Sequence, residues 1–479
     1  MKTISSIFIS SLLSITFLFT AAQNVEKIIL PEDNFGYIPQ DILITENCFS
    51  QNTSGLIFIY SFQRITVIDK TSNAILHQVE VSDYGRNCEK YSELDRIPSV
   101  SFMAFNKADK ELYYVDPTPD EFLNIRYIKF DDDKSIDEQG LAVGVRPDIV
   151  STDDFLLSGY TILKYNDNSG RLYLVANGTG ISTLNSFLSV YKKDQSLTFT
   201  LQYESIFENN IDYYDIAFNR NNDGSSTDHF FTSRDNFWEI YEINAAGTNI
   251  SMISNINLGS GGVYKNGWFL PIYDNSVNKI LCLPHNDHYN GSGTYNVCEI
   301  DCSLATPVFT VLDVNDFPVP DSKVFNAGVY NPNTGITLLS VKPGSDSEEF
   351  LYYYDHASGL ADKVTNFPAG DDILNLGSYM TYDAYGNYIL TRKNEIAKLS
   401  LNTLNYSVTE SVISDGFNNY FSKVFFNSTS TTVKLNAINI LCGSIDRFRY
   451  DAGQYLPYFA GPLETGEALY ESVFNPIDG

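Results

Sequence analysis

The chain has 479 residues, with 59 acidic and 31 basic side chains and a formal net charge of −28 at pH 7. So acidic a protein repels nucleic-acid phosphates and anionic membrane surfaces, which argues against both as partners. The charge favours cations or basic proteins instead, and a solvated acidic surface is the alternative explanation.

The N-terminus has the pattern of a secretory signal peptide. Lys2 is followed by an apolar stretch from Ile7 to Phe19 and then by the small residues Thr20-Ala21-Ala22, which is the order of charged start, hydrophobic middle and cleavage site. A membrane-spanning helix is the alternative, but it needs about 20 apolar residues. We therefore expect residues 1–22 to be removed, and residues 23–479 to form a single secreted domain with a short C-terminal tail.

An aromatic residue followed by Asn, Asp or Ser recurs roughly every 50 residues, which indicates one supersecondary unit repeated along the chain. The clear copies are Phe105-Asn106, Tyr165-Asn166, Phe218-Asn219, Tyr273-Asp274, Tyr330-Asn331, Tyr382-Asp383 and Phe426-Asn427, with a weaker copy at Phe49-Ser50. In most copies an aliphatic residue stands seven positions after the aromatic, as Leu112 and Leu172 do.

Each copy predicts a β-hairpin. The residue two positions before the aromatic is mostly apolar and shares the same face of a strand. The Asn, Asp or Ser that follows can accept a hydrogen bond from the backbone two residues on, which begins a turn. The aliphatic residue then opens a second strand, as in Leu56–Ile59 and Leu112–Val115.

Most units continue with a third and a fourth strand. The predicted third strands include Ile65–Asp69, Ile128–Asp131, Tyr241–Asn244, Leu351–Asp355 and Phe448–Asp451, and the predicted fourth strands include Ile75–Val81 and Leu197–Tyr203. Four antiparallel strands per repeat are typical of a propeller blade. The sequence therefore predicts an all-β fold, a single β-propeller of four-stranded antiparallel blades. Eight blades are expected, or seven if the first copy completes the last blade, and Val25–Leu30 is placed to pair with the final blade and close the ring.

Hairpins such as Phe105–Val115 resemble blades of the insect yellow/major royal jelly group. The resemblance implies a secreted propeller. It covers isolated hairpins and carries no residue roles to this chain.

Nucleophilic catalysis has little support in the sequence. No Gly-x-Ser-x-Gly motif occurs, and the chain has only five histidines. His77 falls in a predicted fourth strand, where a structural role is expected, and His356 falls in a turn between third and fourth strands. His285 and His288 flank Asp287 and offer a transition-metal site, but the adjoining sequon at Asn290 favours an exposed, glycosylated loop.

An insertion in the fourth copy offers a calcium site. Its candidate ligands are Asn219, Asn221, Asp223 and Asp228, in a pattern that resembles a calcium loop. Phe230 stands where the calcium loop of an EF-hand needs a bidentate Glu, so an Asn-rich turn is the favoured interpretation and calcium the alternative.

The usual ligand face of a propeller is built from the loops between second and third strands and from the connections between blades. Here those segments are acidic: they include Asp116–Glu121, Asp153-Asp154, Asp346–Glu349 and Asp371-Asp372. Asp212 and Asn326 lie near the starts of predicted innermost strands and are candidates to line a central ligand channel, as metal-binding residues do in propeller lactonases.

Cysteines and sequons fit an exported chain. The six cysteines, an even number, are disulfide candidates of undetermined pairing: Cys48, Cys88, Cys282, Cys298, Cys302 and Cys442. The six N-glycosylation sequons begin at Asn52, Asn177, Asn249, Asn290, Asn405 and Asn427.

The leading hypothesis is a secreted, non-catalytic propeller that binds a small ligand, a glycan or a basic protein through its acidic loop face. The alternatives are a metal-dependent propeller hydrolase acting on esters, lactones or glycans, and an extracellular structural protein. No cofactor is expected beyond calcium in the inserted loop.

Overall fold

The computed structural model describes most of the chain between residues 27 and 457. The described ranges are 27–29, 41–45, 48–49, 55–60, 64–70, 74–81, 101–116, 123–145, 156–179, 184–194, 199–207, 213–218, 228–234, 237–257, 267–273, 278–284, 298–301, 307–311, 323–343, 350–364, 379–392, 395–415, 421–429, 432–439 and 444–457. No helix in these ranges is long and apolar enough to cross a membrane.

The described residues form antiparallel sheets of consecutive strands, and seven of the sheets have four strands each. Blades 1 and 2 contain β2 (Asp41–Ile44), β3 (Leu56–Tyr60), β4 (Arg64–Asp69), β5 (Ile75–Glu80), β6 (Met103–Asn106), β7 (Glu111–Asp116), β8 (Leu123–Phe130) and β9 (Ile136–Val145). Blades 3 and 4 contain β10 (Leu156–Asn166), β11 (Arg171–Thr179), β12 (Leu184–Lys193), β13 (Phe199–Phe207), β14 (Tyr213–Phe218), β15 (Asp228–Arg234), β16 (Phe237–Ile243) and β17 (Ile250–Asn257).

The later blades repeat the pattern. Blades 5 and 6 contain β18 (Gly267–Tyr273), β19 (Asn278–Pro284), β20 (Cys298–Asp301), β21 (Val308–Val311), β22 (Lys323–Asn331), β23 (Ile336–Pro343), β24 (Phe350–Asp355) and β25 (Leu360–Lys363). Blade 7 contains β26 (Tyr379–Tyr382), β27 (Tyr388–Arg392), β28 (Glu395–Asn402) and β29 (Ser407–Asp415). The last sheet, blade 8, combines β1 (Lys27–Ile29) with β30 (Phe421–Thr429), β31 (Thr432–Asn439), β32 (Ser444–Asp451) and β33 (Gln454–Pro457).

Neighbouring blades contact one another through their first strands, which are therefore the inner strands of a ring. The second strands are sandwiched between blades: every residue of β3 and β7 is buried. One apolar cluster runs continuously through the first three blades and includes Phe58, Leu112 and Leu172. The all-β propeller of four-stranded antiparallel blades predicted from the repeat is confirmed.

Both ends of the described chain complete the last sheet. β33 pairs with β32 along Phe448–Asp451, while β1 pairs with the same strand at Ser444–Asp446. Both lie on the edge of β32 opposite β31, so together they form a two-piece fourth strand. The predicted pairing of the N-terminal segment with the final blade is confirmed.

The outer strands are irregular. In five blades the ladder between the third and fourth strands contains a β-bulge with an extra residue in the fourth strand, and blade 2 has two such bulges. The extra residues are Leu76, Asp137, Ala142, Gln202, Ile253 and Ile413. A bulge bends and twists an exposed edge, which hinders pairing with the edge of another molecule.

The weak first copy of the repeat behaves differently from the others. β2 ends at Ile44, so Phe49 lies beyond the inner strand, although its side chain is buried in the core. In the fourth copy, Phe218-Asn219, the second strand β15 begins at Asp228, two residues before Phe230.

Candidate functional site

The alternating strands give the propeller two distinct ends. Inner strands begin and second strands end at one of them, which we name the loop end. Inner strands finish at the other, the turn end, where first strands join second strands and third strands join fourth strands.

At the turn end four of the repeated Asn and Asp residues close their hairpins as the sequence predicts, whereas Asn427 lies within β30, whose ladder continues to Thr429. The side-chain oxygens of Asn106, Asn166, Asn331 and Asp383 each accept a hydrogen bond from the backbone amide two residues on, at 2.9 to 3.0 Å. All four side chains are buried. Turn chemistry and packing therefore explain this part of the repeat.

The same residues also connect neighbouring blades. Asn106 Nδ2 donates to the hydroxyl of Tyr165 at 3.1 Å, and Asn166 Nδ2 donates to Asp228 Oδ1 at 2.7 Å. Tyr455 in blade 8 donates its hydroxyl to Asp383 Oδ2 at 2.8 Å. These contacts hold one blade to the next at the turn end.

Asp228, a candidate calcium ligand, lies fully buried between blades 3 and 4. Its second carboxylate oxygen accepts a hydrogen bond from the Tyr173 hydroxyl. Burial raises the pKa of Asp228, although the hydrogen bonds from Tyr173 and Asn166 oppose that shift. The other candidate ligands, Asn219, Asn221 and Asp223, lie outside the described residues, so the calcium site stays a prediction.

A buried ion pair joins blades 2 and 3. Lys193 Nζ lies 2.6 Å from Glu111 Oε2 and 2.7 Å from Asp109 Oδ2. Glu111 is 1% exposed and also accepts a hydrogen bond from the Tyr113 hydroxyl, while its other oxygen has no hydrogen-bond partner. The ammonium group of Lys193 is thus the main compensation for a carboxylate removed from water.

Blades 5 and 6 share a hydroxyl–imidazole–carboxylate arrangement. His356 Nε2 lies 2.8 Å from Thr337 Oγ1, and His356 Nδ1 lies 3.2 Å from Glu299 Oε2. Lys279 Nζ reaches the other Glu299 oxygen at 2.6 Å. Burial raises the pKa of Glu299, and hydrogen bonds from His356 and Lys279 outweigh it, so the net pKa is lowered.

This order of groups is that of a nucleophile, a base and an orienting acid. Thr337, however, is fully buried in the middle of a blade, so its hydroxyl is closed to a substrate. The arrangement works as a polar clamp between blades. His356 does lie in the turn between third and fourth strands, as predicted, and His77 lies in a fourth strand, where its Nε2 is 2.8 Å from the Lys134 carbonyl oxygen.

His229 is a buried polar side chain that makes no hydrogen bond. It is fully buried in β15, and neither ring nitrogen has a hydrogen-bond partner. Phe231, its neighbour on the same strand face, lies with its ring centroid 6.3 Å away. Burial lowers the pKa of His229 to about 4, so the imidazole is neutral at pH 7.

At the loop end, Asp41 binds blade 1 to blade 2. Its Oδ2 accepts hydrogen bonds from the backbone amides of Phe102 at 2.8 Å and Met103 at 3.1 Å, and from Ser101 Oγ at 3.3 Å. Ser101 in turn forms a parallel bridge with Ile162, at the inner strand of blade 3. Three consecutive blades are therefore linked through their inner strands: blades 1 and 2 where those strands begin, and blade 3 at Ile162 in the middle of β10.

Blade 2 shows how a loop-end segment is anchored. β7 ends at Asp116, which lies opposite Asn124 on β8 and is 2% exposed. Arg126 forms an ion pair with the Asp116 carboxylate, while Asn124 Oδ1 is buried without a hydrogen-bond partner. The acidic segment 117–122 therefore connects two strand ends, Asp116 of β7 and Leu123 of β8, that belong to one hydrogen-bonded ladder.

The structure places only some of the other predicted site residues. Asn326 lies in the inner strand β22, at a bulge between Phe325 and Ala327, and Asp212 lies just outside the described residues, next to the start of β14. Among the sequons, Asn249 and Asn405 are exposed in turns, Asn177 and Asn427 lie in strands, and Asn52 and Asn290 fall outside the described residues. His285, Asp287 and His288 also fall outside them.

The cysteines are partly placed. Cys48 is a half-buried free thiol, and Cys282 lies directly opposite Cys298 across the β19–β20 ladder. The remaining candidates, Cys88, Cys302 and Cys442, lie outside the described residues.

Several structurally important residues carry no sequence signal that singles them out. Asp41 is the first residue of an inner strand, and Asp212 stands directly before one, which is the one clue that could have found Asp41. Lys193 and Glu299 gain their roles only from contacts between blades.

Comparisons with known proteins describe the fold. No known protein family matches the chain, and no curated protein matches it. Several solved structures do match the chain in fold. The chain is similar to hydrazine synthase of Kuenenia stuttgartiensis, at 11% identity and a TM-score of 0.45, over 90% of this chain and 98% of that one.

Two further matches are of the same kind. A putative 6-phosphogluconolactonase of Bacteroides fragilis has 12% identity and a TM-score of 0.39 over 78% of this chain and 96% of that one. The β-propeller domain of the Trilobed protease of Pyrococcus furiosus, described as having an open velcro topology, has 8% identity and a TM-score of 0.38 over 90% and 99%. These are likenesses of fold alone.

Proposed function

We infer that this protein is an exported, non-catalytic binding protein whose loop end receives a cationic partner, of which a basic protein is the best fit. The observation that carries the proposal is the uneven distribution of charge. In the segments that connect strands at the loop end, acidic residues outnumber basic residues by more than three to one, against about two to one in the whole chain. Clustered charge of one sign steers an oppositely charged partner.

The contrast between the two ends supports this choice. The described turn-end hairpins are short, and their polar side chains are occupied by hydrogen bonds within the turn or to the next blade. The loop-end segments vary in length, and the longer ones hold acidic runs, such as Asp346–Glu349 and residues 312–322. Loops held by a rigid scaffold are where proteins commonly place binding residues.

The scaffold beneath these segments is well braced. Asp41 joins blades 1 and 2, and the Ser101–Ile162 bridge adds blade 3. The Asp116–Arg126 ion pair fixes the strand ends that carry segment 117–122. A rigid base lowers the entropy lost when a partner orders the loops.

A matched pair of charge-neutralised variants tests the proposal. The loop-end variant carries Asp346→Asn, Glu348→Gln and Glu349→Gln; the turn-end control carries Asp131→Asn, Asp132→Asn and Asp133→Asn, all exposed residues of the β8–β9 turn. With a fluorescent deca-lysine peptide as probe, we expect the loop-end variant to bind about tenfold more weakly, since each exposed charge contributes up to about 1 kcal/mol. We expect the control to bind within about twofold of the unmodified protein, at 50 and at 150 mM salt.

Equal losses in the two variants would mean that binding follows total charge and not the loop end, and the proposal would be wrong. Export is tested separately, by expressing the full chain in a eukaryotic secretory host. We expect the protein in the medium, with an N-terminus near Gln23. Retention in the cytosol with Met1 intact would refute export without affecting the binding measurement.

A further inference from the structure

We propose that Cys282 and Cys298 form a disulfide bond that joins the second and third strands of blade 5. The two residues are direct partners in the antiparallel ladder of β19 and β20. Residues directly opposite each other in such a ladder have Cα atoms about 4.5 to 5.5 Å apart. This separation lies within the range that a disulfide requires, roughly 4.4 to 6.8 Å.

The two positions also share one face of the sheet. Side chains alternate along a strand, so position 282 shares a face with Ile280, and position 298 shares a face with Ile300. Ile280 and Ile300 are themselves ladder partners, and both are fully buried. A bond at the next pair along this face would therefore continue an interior row.

The same register favours Cys298 over Cys302 as the partner of Cys282. Asp301 lies opposite Lys279, three positions from Cys282, which corresponds to roughly 10 Å along the strand. Cys298 is the cysteine that the described ladder places directly opposite Cys282, whereas Cys302 lies outside the described residues.

The bond forms by thiol–disulfide exchange with a small disulfide such as oxidised glutathione. One thiolate attacks the glutathione disulfide, giving a mixed disulfide and one reduced glutathione. The second cysteine thiolate then displaces the other glutathione. The two cysteines lose two electrons and two protons in total, and one oxidised glutathione becomes two reduced molecules.

The position of the bond gives it a consequence for the loop end. Cys282 and Cys298 are the last ladder partners before segment 285–297, the connection between the second and third strands of blade 5. That segment contains His285, His288 and the sequon at Asn290. The disulfide would fix both ends of it at a constant separation.

Peptide mapping tests the bond, because proteases can separate the three nearby cysteines. The protein is refolded with reduced and oxidised glutathione, free thiols are blocked with iodoacetamide, and N-glycans are removed. Trypsin cleaves after Lys279, chymotrypsin after Tyr289 and Tyr295, and a Glu-specific protease after Glu299. We expect the peptide with Cys282 to be joined to the peptide with Cys298 and released by reduction.

Variants keep the test decisive. Cys302→Ser should retain the link. Cys282→Ser should leave Cys298 fully alkylated. It should also lower the folding equilibrium constant about a hundredfold, because the disulfide no longer closes the loop between residues 282 and 298. Full alkylation of both cysteines in folded, unmodified protein, or a link from either one to Cys302, Cys88 or Cys442, overturns the proposal. The result is independent of partner binding, so it leaves the proposed function to its own test.

Discussion

Replacing Lys193 with Met is expected to lower the free energy of unfolding by about 3 to 5 kcal/mol, the usual cost of leaving one member of a buried ion pair alone. The variant keeps the length of the side chain but removes the ammonium group from the Glu111 carboxylate. Glu111 is almost fully buried and has one oxygen without any hydrogen-bond partner. The other cation that interacts with it electrostatically, Lys129, is paired with Asp137. Urea unfolding followed by circular dichroism measures the change.

Two controls separate the buried charge from general effects of substitution. Adding Glu111→Gln to Lys193→Met removes the unpaired charge, so we expect at least half of the lost stability to return. Asp109→Asn alters the other partner of Lys193, whose side chain is half exposed, and should change stability by less than about 1 kcal/mol. A double variant as unstable as the single one would show that Lys193 acts through packing and not through charge.

Replacing His229 with Leu should remove part of the protein's sensitivity to mild acid. With a folded-state pKa of about 4, His229 binds fewer protons than the same residue in the unfolded chain, whose pKa is near 6.5. The buried neutral imidazole therefore does not lower the free energy of unfolding above pH 6.5, and it lowers that free energy progressively as the pH falls from 6.5 towards 4. When the pH is lowered from 7.5 to 5, His229 alone is expected to reduce the free energy of unfolding by about 2 kcal/mol.

The variant should also be more stable at pH 7.5, because Leu makes no demand for the hydrogen bonds that both ring nitrogens lack. His77→Leu is the matched control: that ring is half-buried and bonded to the Lys134 carbonyl, so we expect a loss of stability. Measurements stay above pH 5 because Glu299, whose pKa is lowered, loses its contribution only below about 4.5. If unmodified and His229→Leu proteins lose equal stability from pH 7.5 to 5, the assigned protonation is wrong.

The sequence predicts the local structure of this fold well because each blade is encoded by nearby residues. Asn106 and Asn166 form the turns expected of them, and the strand expected at Leu351–Asp355 is β24, Phe350–Asp355. Alternation along a strand and turn chemistry act over a few residues, and they leave a direct trace in the amino-acid order.

The contacts between blades leave no such trace. Glu299 meets His356 across 57 positions, and Lys193 meets Glu111 across 82. His356 is bonded to Glu299 of the neighbouring blade, whereas His229 makes no hydrogen bond, and the amino-acid order does not distinguish the two histidines. The position of Phe49 was also not predictable from its neighbours. It resembles the other aromatic residues of the repeat, but it lies after the end of β2 and its side chain is buried in the core.

The two-piece strand on the edge of β32 affects the order in which the molecule can be assembled. Of the described strands β1 is synthesised first, but its partner β32 is synthesised only after seven blades have been made, so this pairing cannot form until then. β33 stops opposite Phe448 and β1 starts opposite Asp446, which leaves only Arg447 between them on the facing strand. A short peptide that joined residue 457 to residue 27 would make this strand continuous, and the ring could then be cut in any turn-end hairpin without losing a strand. The gap between β33 and β1 thus affects the order of assembly, while the sheet of blade 8 needs only the pairing of both pieces with β32.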